Sequence, residues 1–117
     1  MANQKHISLL LQGTNIWNLY KEEGFSTQID LSRAQLEAAN LSGAYLSGTN
    51  LSGANLSRAN LSRVNLNRAN LREANLEQAS LSRAYLLQAN LEKAILFQAN
   101  LNQANLLGAC LQNADLQ

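Results

Sequence analysis

Proline is missing from the 117 residues, and cysteine, histidine, tryptophan and methionine occur once each. With no proline, every peptide keeps its donor, so nothing interrupts a continuous backbone ladder. The lone cysteine, Cys110, excludes an intrachain disulfide and fits a reducing, cytoplasmic setting. Charged residues are scarce at 15%, and nine Lys and Arg against eight Asp and Glu leave a formal net charge of +1. That balance gives neither the broad basic surface of a nucleic-acid binder nor an acidic tail. No apolar run approaches the ~20 residues of a membrane-spanning helix, so no membrane association is expected. The length suits one domain.

What the chain does have is a period. Eighteen leucines recur at every fifth position from Leu31 to Leu116. Two residues before each stands a small residue, nearly always alanine, the departures being Ile29, Thr49 and Val64. The residue between is usually asparagine. Five is neither a helical nor a strand period, so the chain is a repeat architecture. In a pentad such as Ala59-Asn60-Leu61-Ser62-Arg63 the first four residues alternate inward and outward as in a strand. The fifth adds a second outward position in a row, which turns a corner. Each pentad is then a very short strand plus a turn, with alanine and leucine inward. One large and one small inward residue fill a narrow coil without overpacking. Within the repeats glycine occurs only at the corner position, at Gly43, Gly48, Gly53 and Gly108, which suits a type II turn with positive φ. Arg63 and Arg68 hold the same slot, so those corners are expected to use a different turn.

From Ile29 to Gln117 these residues resemble the pentapeptide repeat family, whose motif is A(N/D)LXX. The resemblance implies an all-β solenoid, a right-handed four-sided β-helix with four pentads per coil. Periodicity alone does not give the number four, but charge pairing between coils favours it. A twenty-residue separation sets Arg72 against Glu92, Glu73 against Lys93 and Leu87 against Leu107, with Arg63 over Arg83 as the one like-charge pair. A separation of fifteen brings Arg68 to Arg83 and Glu77 to Glu92, and twenty-five brings only like charges together, such as Arg68 with Lys93. On the twenty-residue register, residues 29–117 make about four and a half coils at ~4.8 Å spacing. Leu36, Leu56, Leu76, Leu96 and Leu116 then form one inward column.

Residues 1–28 break the period. Ile7, Leu10 and Leu11 have helical spacing, and Asn15 is placed to cap a second turn carrying Ile16, Leu19 and Tyr20, ending at Gly24. Trp17, Tyr20 and Phe25 cluster here. A helical cap over the open end of the coil is expected, with Ile7, Leu10, Leu11, Ile16, Trp17 and Leu19 as its apolar contacts. Leu10 to Asn18 resembles the leader before the repeats in many cyanobacterial members. The apolar stretch Ile7 to Leu11 is too short for a secretory signal.

Catalysis finds little material. His6 has no second ligand or nucleophile near it and is expected as a solvated surface residue. Cys110, in an outward asparagine slot beneath Asn90, lacks a partner for metal or redox chemistry. The six repeat carboxylates fall on different faces, with Lys93 and Arg72 as expected partners of Glu73 and Glu92. The asparagines are expected to form ladders, bonding one another and the backbone. A leucine-filled interior leaves no room for a polar pocket, so neither enzyme activity, cofactor nor metal is expected.

Binding then belongs to the outer faces. Arg58, Arg63 and Arg68 sit on successive corners and form a belt, whereas nucleic acid requires a one-sided basic stripe with aromatics. Tyr85, Leu87 and Leu107 cluster on the face of Leu86 and Leu106, with Ile95 and Phe97 on the opposite face. A non-enzymatic structural or protein-interaction module follows, with a protein partner or a second copy at the C-terminal coils, including a head-to-head dimer at the open end. The alternative implied by the resemblance is DNA mimicry toward DNA gyrase. That role needs a long acidic rod, whereas Asp30, Glu37, Glu73, Glu77, Glu92 and Asp115 face six arginines and one lysine in the repeats. An ice-binding face would need threonine rows, and Thr49 is the only threonine in the repeats.

Overall fold

A computed structural model describes residues 2–23 and 28–116. Two short helices come first, α1 (Gln4–Leu11) and α2 (Thr14–Glu22). The Asn3 side chain starts α1 by accepting from the N–H groups of Lys5 and His6, which fills donors a helix start leaves open. The residue before α2 is Gly13, at φ 128° and with no side-chain cap. Asn15, expected as the cap, lies inside the first turn instead. Gly24 and Phe25 lie outside the described residues.

From Asp30 onward the chain forms isolated parallel bridges, each joining a residue to the one twenty further on, from Asp30 with Asn50 to Ile95 with Asp115. Each twenty-residue coil contains four turns, so it is four-sided, and the fifteen- and twenty-five-residue registers are excluded. The reason is visible in the backbone donors, four of which are used by the ladder and corner of each internal pentad and the fifth wherever an asparagine precedes the leucine. Leu31 N–H donates forward to Asn50 O (2.7 Å) and Arg33 N–H to Ser52 O (2.8 Å), while Asn50 N–H donates back to Ile29 O (2.9 Å). Ala34 N–H closes the corner on Leu31 O at 3.1 Å. The remaining donor, one residue past the leucine, goes to the asparagine side chain, as Ser52 N–H does to Asn50 Oδ1 at 3.0 Å.

The asparagine preference follows from that last bond. Asn55, Asn60, Asn65, Asn70, Asn75 and Asn90 each accept from the N–H two residues on, an Asx turn that completes the accounting of buried and half-buried donors. Asn–Asn ladders, expected from stacking, do not form among the described residues. Their side chains are already committed to their own turns.

The corners are uniform, contrary to the expectation for Arg63 and Arg68. Every described corner residue from Arg33 to Asn113 has positive φ, including Arg63 at 57°, Arg68 at 62° and Gly108 at 73°. Thirteen non-glycine residues accept this region, at a cost of about 1–2 kcal/mol each. The ladder enforces it, because the corner N–H must reach the next coil.

Leucines from Leu31 to Leu96 and most of the paired alanines fill the interior. Burial then falls away, and Leu111 is 36% and Leu116 62% exposed. Leu116 thus belongs to the expected column by register but does not share its burial, since among the described residues no coil lies beneath it.

Candidate interaction surfaces

The helical pair meets the first coil through α1 Leu10 and α2 Trp17, both fully buried, with Ile7, Leu9 and Tyr20 packed beside them. Leu11, Ile16 and Leu19, expected among the contacts, are instead 55%, 43% and 58% exposed. Helices this short bury one narrow stripe, and the stripe chosen is His6–Leu10 on α1 and Trp17 on α2. His6 is therefore buried rather than solvated. Its Nε2 lies 3.2 Å from the Tyr20 hydroxyl, and its ring stands edge-on to Trp17 at 6.1 Å. Burial, with Lys5 and Lys21 nearby, pushes its pKa below the usual 6.5, against a smaller opposing effect of Asp30.

Asn18 and Trp17 also supply what a preceding coil would. Asn18 Oδ1 accepts from Tyr45 N–H at 2.8 Å, and Trp17 Nε1 donates to Tyr45 O at 2.8 Å. Asn18 Nδ2 reaches Gly43 O at 3.1 Å, and Asn3 N–H donates to Asp30 O at 3.0 Å. In the next coil the matching groups of Asn65 are bonded by Ala44 O and Leu46 N–H. The role of Asn18 escaped the sequence reading. Its one signal was a polar residue directly after the buried tryptophan.

On the flank, Tyr85, Leu87 and Leu107 come together. Tyr85 bridges Asn105, and Leu107 lies one coil beyond Leu87. Tyr85 is 53% and Leu107 71% exposed, with Leu87 half-buried. Leu87 N–H is taken by Asn67 Oδ1 at 2.9 Å from the coil above, because Tyr85 cannot accept it. Ile95 and Phe97 are exposed two pentads away on the opposite face, so the five apolar residues make two separate surfaces. Cys110 is exposed beneath Asn90.

Charges are paired locally. Glu37 meets Arg58, and Arg72 bonds both Glu92 (3.0 Å) and Glu73 (2.8 Å). Glu73 thus turns to Arg72, its neighbour in sequence, and not to Lys93. Among the described residues no group of three or more His, Cys, Asp or Glu side chains could hold a metal, and no helix is long and apolar enough to cross a membrane.

The last rung has a direction. Each pentad sends two N–H groups and one carbonyl toward the following coil, and two carbonyls and one N–H toward the preceding one. Among the described residues, the N–H groups of Leu101, Gln103, Leu106, Gly108 and Leu111 therefore have no acceptor.

The chain is similar to solved pentapeptide repeat proteins of cyanobacteria. Rfr23 from Cyanothece 51142 is 40% identical over 79% of this chain and 67% of its own, with a TM-score of 0.53. The protein alr5209 from Nostoc PCC 7120 is 42% identical over 79% of this chain and 69% of its own, with a TM-score of 0.55. No curated protein gives a significant match. Residues 29–68, 59–97 and 98–117 match the family described as pentapeptide repeats, in eight copies. With that match spanning three-quarters of its length, the chain belongs to the pentapeptide repeat family.

Proposed function

We propose that the chain is a non-enzymatic protein-interaction module, built as a right-handed four-sided β-helix over residues 29–117 and capped by residues 1–28. The observation that carries this is the Tyr85, Leu87 and Leu107 surface, an exposed apolar column spanning two coils. Burying such area stabilises a complex by about 25 cal/mol per Å². The interior supports the non-enzymatic assignment, since leucine and alanine fill it and leave the chemistry to the outside. A second copy meeting the same column flank to flank is the partner to test first. Light scattering across a concentration series should show association that Leu87→Ser with Leu107→Ser abolishes. A strict monomer throughout removes self-association and leaves the column to a different protein.

The alternative is DNA mimicry toward DNA gyrase. It requires a continuous acidic face, whereas Glu37, Glu73 and Glu92 are each paired to arginine. Inhibition or protection of gyrase in a supercoiling assay would establish the alternative, and no effect would retire it.

A further inference from the structure

The corner that follows Leu41, Leu61, Leu81 and Leu101 stacks Gly43, Arg63, Arg83 and Gln103 in register. Beside it run Ser42, Ser62, Ser82 and Asn102, which with Arg63, Arg83 and Gln103 line an open groove of about 640 Å³. No carboxylate lines the groove. Arg58 and Arg72 elsewhere are held by glutamates. Arg63, by contrast, has no hydrogen bond or ion pair from its side chain among the described residues. Arg83 uses only Nε, on Gln103 Oε1 at 2.8 Å, so its terminal nitrogens are free of protein acceptors.

A second observation points the same way. In the coil above, Ser62 N–H and Ser62 Oγ both go to Asn60 Oδ1, at 3.1 and 2.7 Å. In the coil below, Asn102 N–H goes to Asn100 Oδ1. Between them the asparagine is replaced by Ser80, and neither the N–H nor the hydroxyl of Ser82 has a protein partner among the described residues. The Arg63 guanidinium, the terminal nitrogens of Arg83, and the Ser82 amide and hydroxyl thus border one groove as donors without a protein partner among the described residues, and no carboxylate lines it. Such a set matches a tetrahedral dianion, which takes several charge-assisted bonds at once.

We propose that the Arg63–Ser82–Arg83 groove binds a single phosphate group, carried by a phosphomonoester or present as free phosphate. Its size follows from its borders. Gly43 above offers no side chain and Gln103 below is neutral, so the basic stretch is two coils tall, about 5 Å. That spans one phosphate and not a polyanion.

The test is titration of the uniformly ¹⁵N-labelled full chain with inorganic phosphate and, separately, with O-phosphoserine, against sodium chloride at equal ionic strength. Saturable shifts of the Ser82 amide and of the Arg63 and Arg83 side-chain resonances are expected. Saturation at lower concentration by one ligand identifies that source. Ser80→Asn restores the missing acceptor for Ser82 N–H without changing charge, and should weaken binding about tenfold, the worth of one hydrogen bond to a charged group. Arg63→Gln with Arg83→Gln should abolish it. The proposal is overturned if the Ser82 amide does not respond, if Arg33 and Arg68 respond equally, or if Ser80→Asn binds like the parent.

Discussion

At the scale of single residues, Thr49 stands out. It fills the inward small-residue slot with no exposure, and its Oγ1 has no hydrogen-bond partner. Val64 occupies the same kind of slot, equally buried. Thr49→Val keeps the shape and removes the stranded hydroxyl, so it should raise stability by about 1–2 kcal/mol. Urea unfolding checks this as a higher midpoint at unchanged slope; a lower midpoint would mean that the hydroxyl is satisfied and needed. The inward positions were readable because leucine repeats without a miss and the small slot departs from alanine only at Ile29, Thr49 and Val64. The corner was not, since arginine at positive φ runs against its local preference and only the ladder imposes it. Nor was the use of asparagine, because stacking in register says nothing about which donor its side chain serves.

At the scale of elements, the two short helices were legible in the sequence, but not the stripe they bury. Leu11, Ile16 and Leu19 have the right period, yet helices of eight and nine residues can present more than one stripe. The buried choice includes His6 because its ring packs on Trp17 and Tyr20. This makes cap docking sensitive to acid. Burial, seconded by Lys5 and Lys21, lowers the His6 pKa in the folded state, with Asp30 only partly opposing. The unfolded or undocked segment takes up its proton near pH 6.5, while the docked one resists it. Stability is therefore full above that value and declines as the pH falls from there toward the lowered pKa of the docked state. Trp17, the single tryptophan, reports docking by fluorescence. Its emission should shift to the red on acidification from pH 7.5 to 5.5, and His6→Phe should flatten the response. A parent protein with identical emission and melting temperature at both pH values would refute the link.

At the scale of the whole molecule, the body measures 37 × 25 × 22 Å, a short stack whose coils contact only their neighbours. The candidate binding surfaces were only partly legible at this scale. The apolar flank could be found once the twenty-residue register was assumed. The phosphate groove depended on knowing that asparagine serves the turn, so that Ser80 reads as a missing acceptor. Geometrically the stack is a cross-β segment wound from one chain, with the same strand spacing of about 4.8 Å that allows amyloid to grow without limit. Among the described residues one edge is donor-rich and the other acceptor-rich, so head-to-tail addition continues the ladder in register. Asn18 and Trp17 occupy the acceptor-rich edge at Tyr45, where a preceding coil would bond. Deleting residues 1–28 should release head-to-tail filaments, seen by electron microscopy and rising light scattering, whereas an unchanged melting temperature and a monomeric product would deny the helices that role. Filaments from the deletion would show a ladder built to propagate being kept finite by Asn3, Asn18 and Trp17.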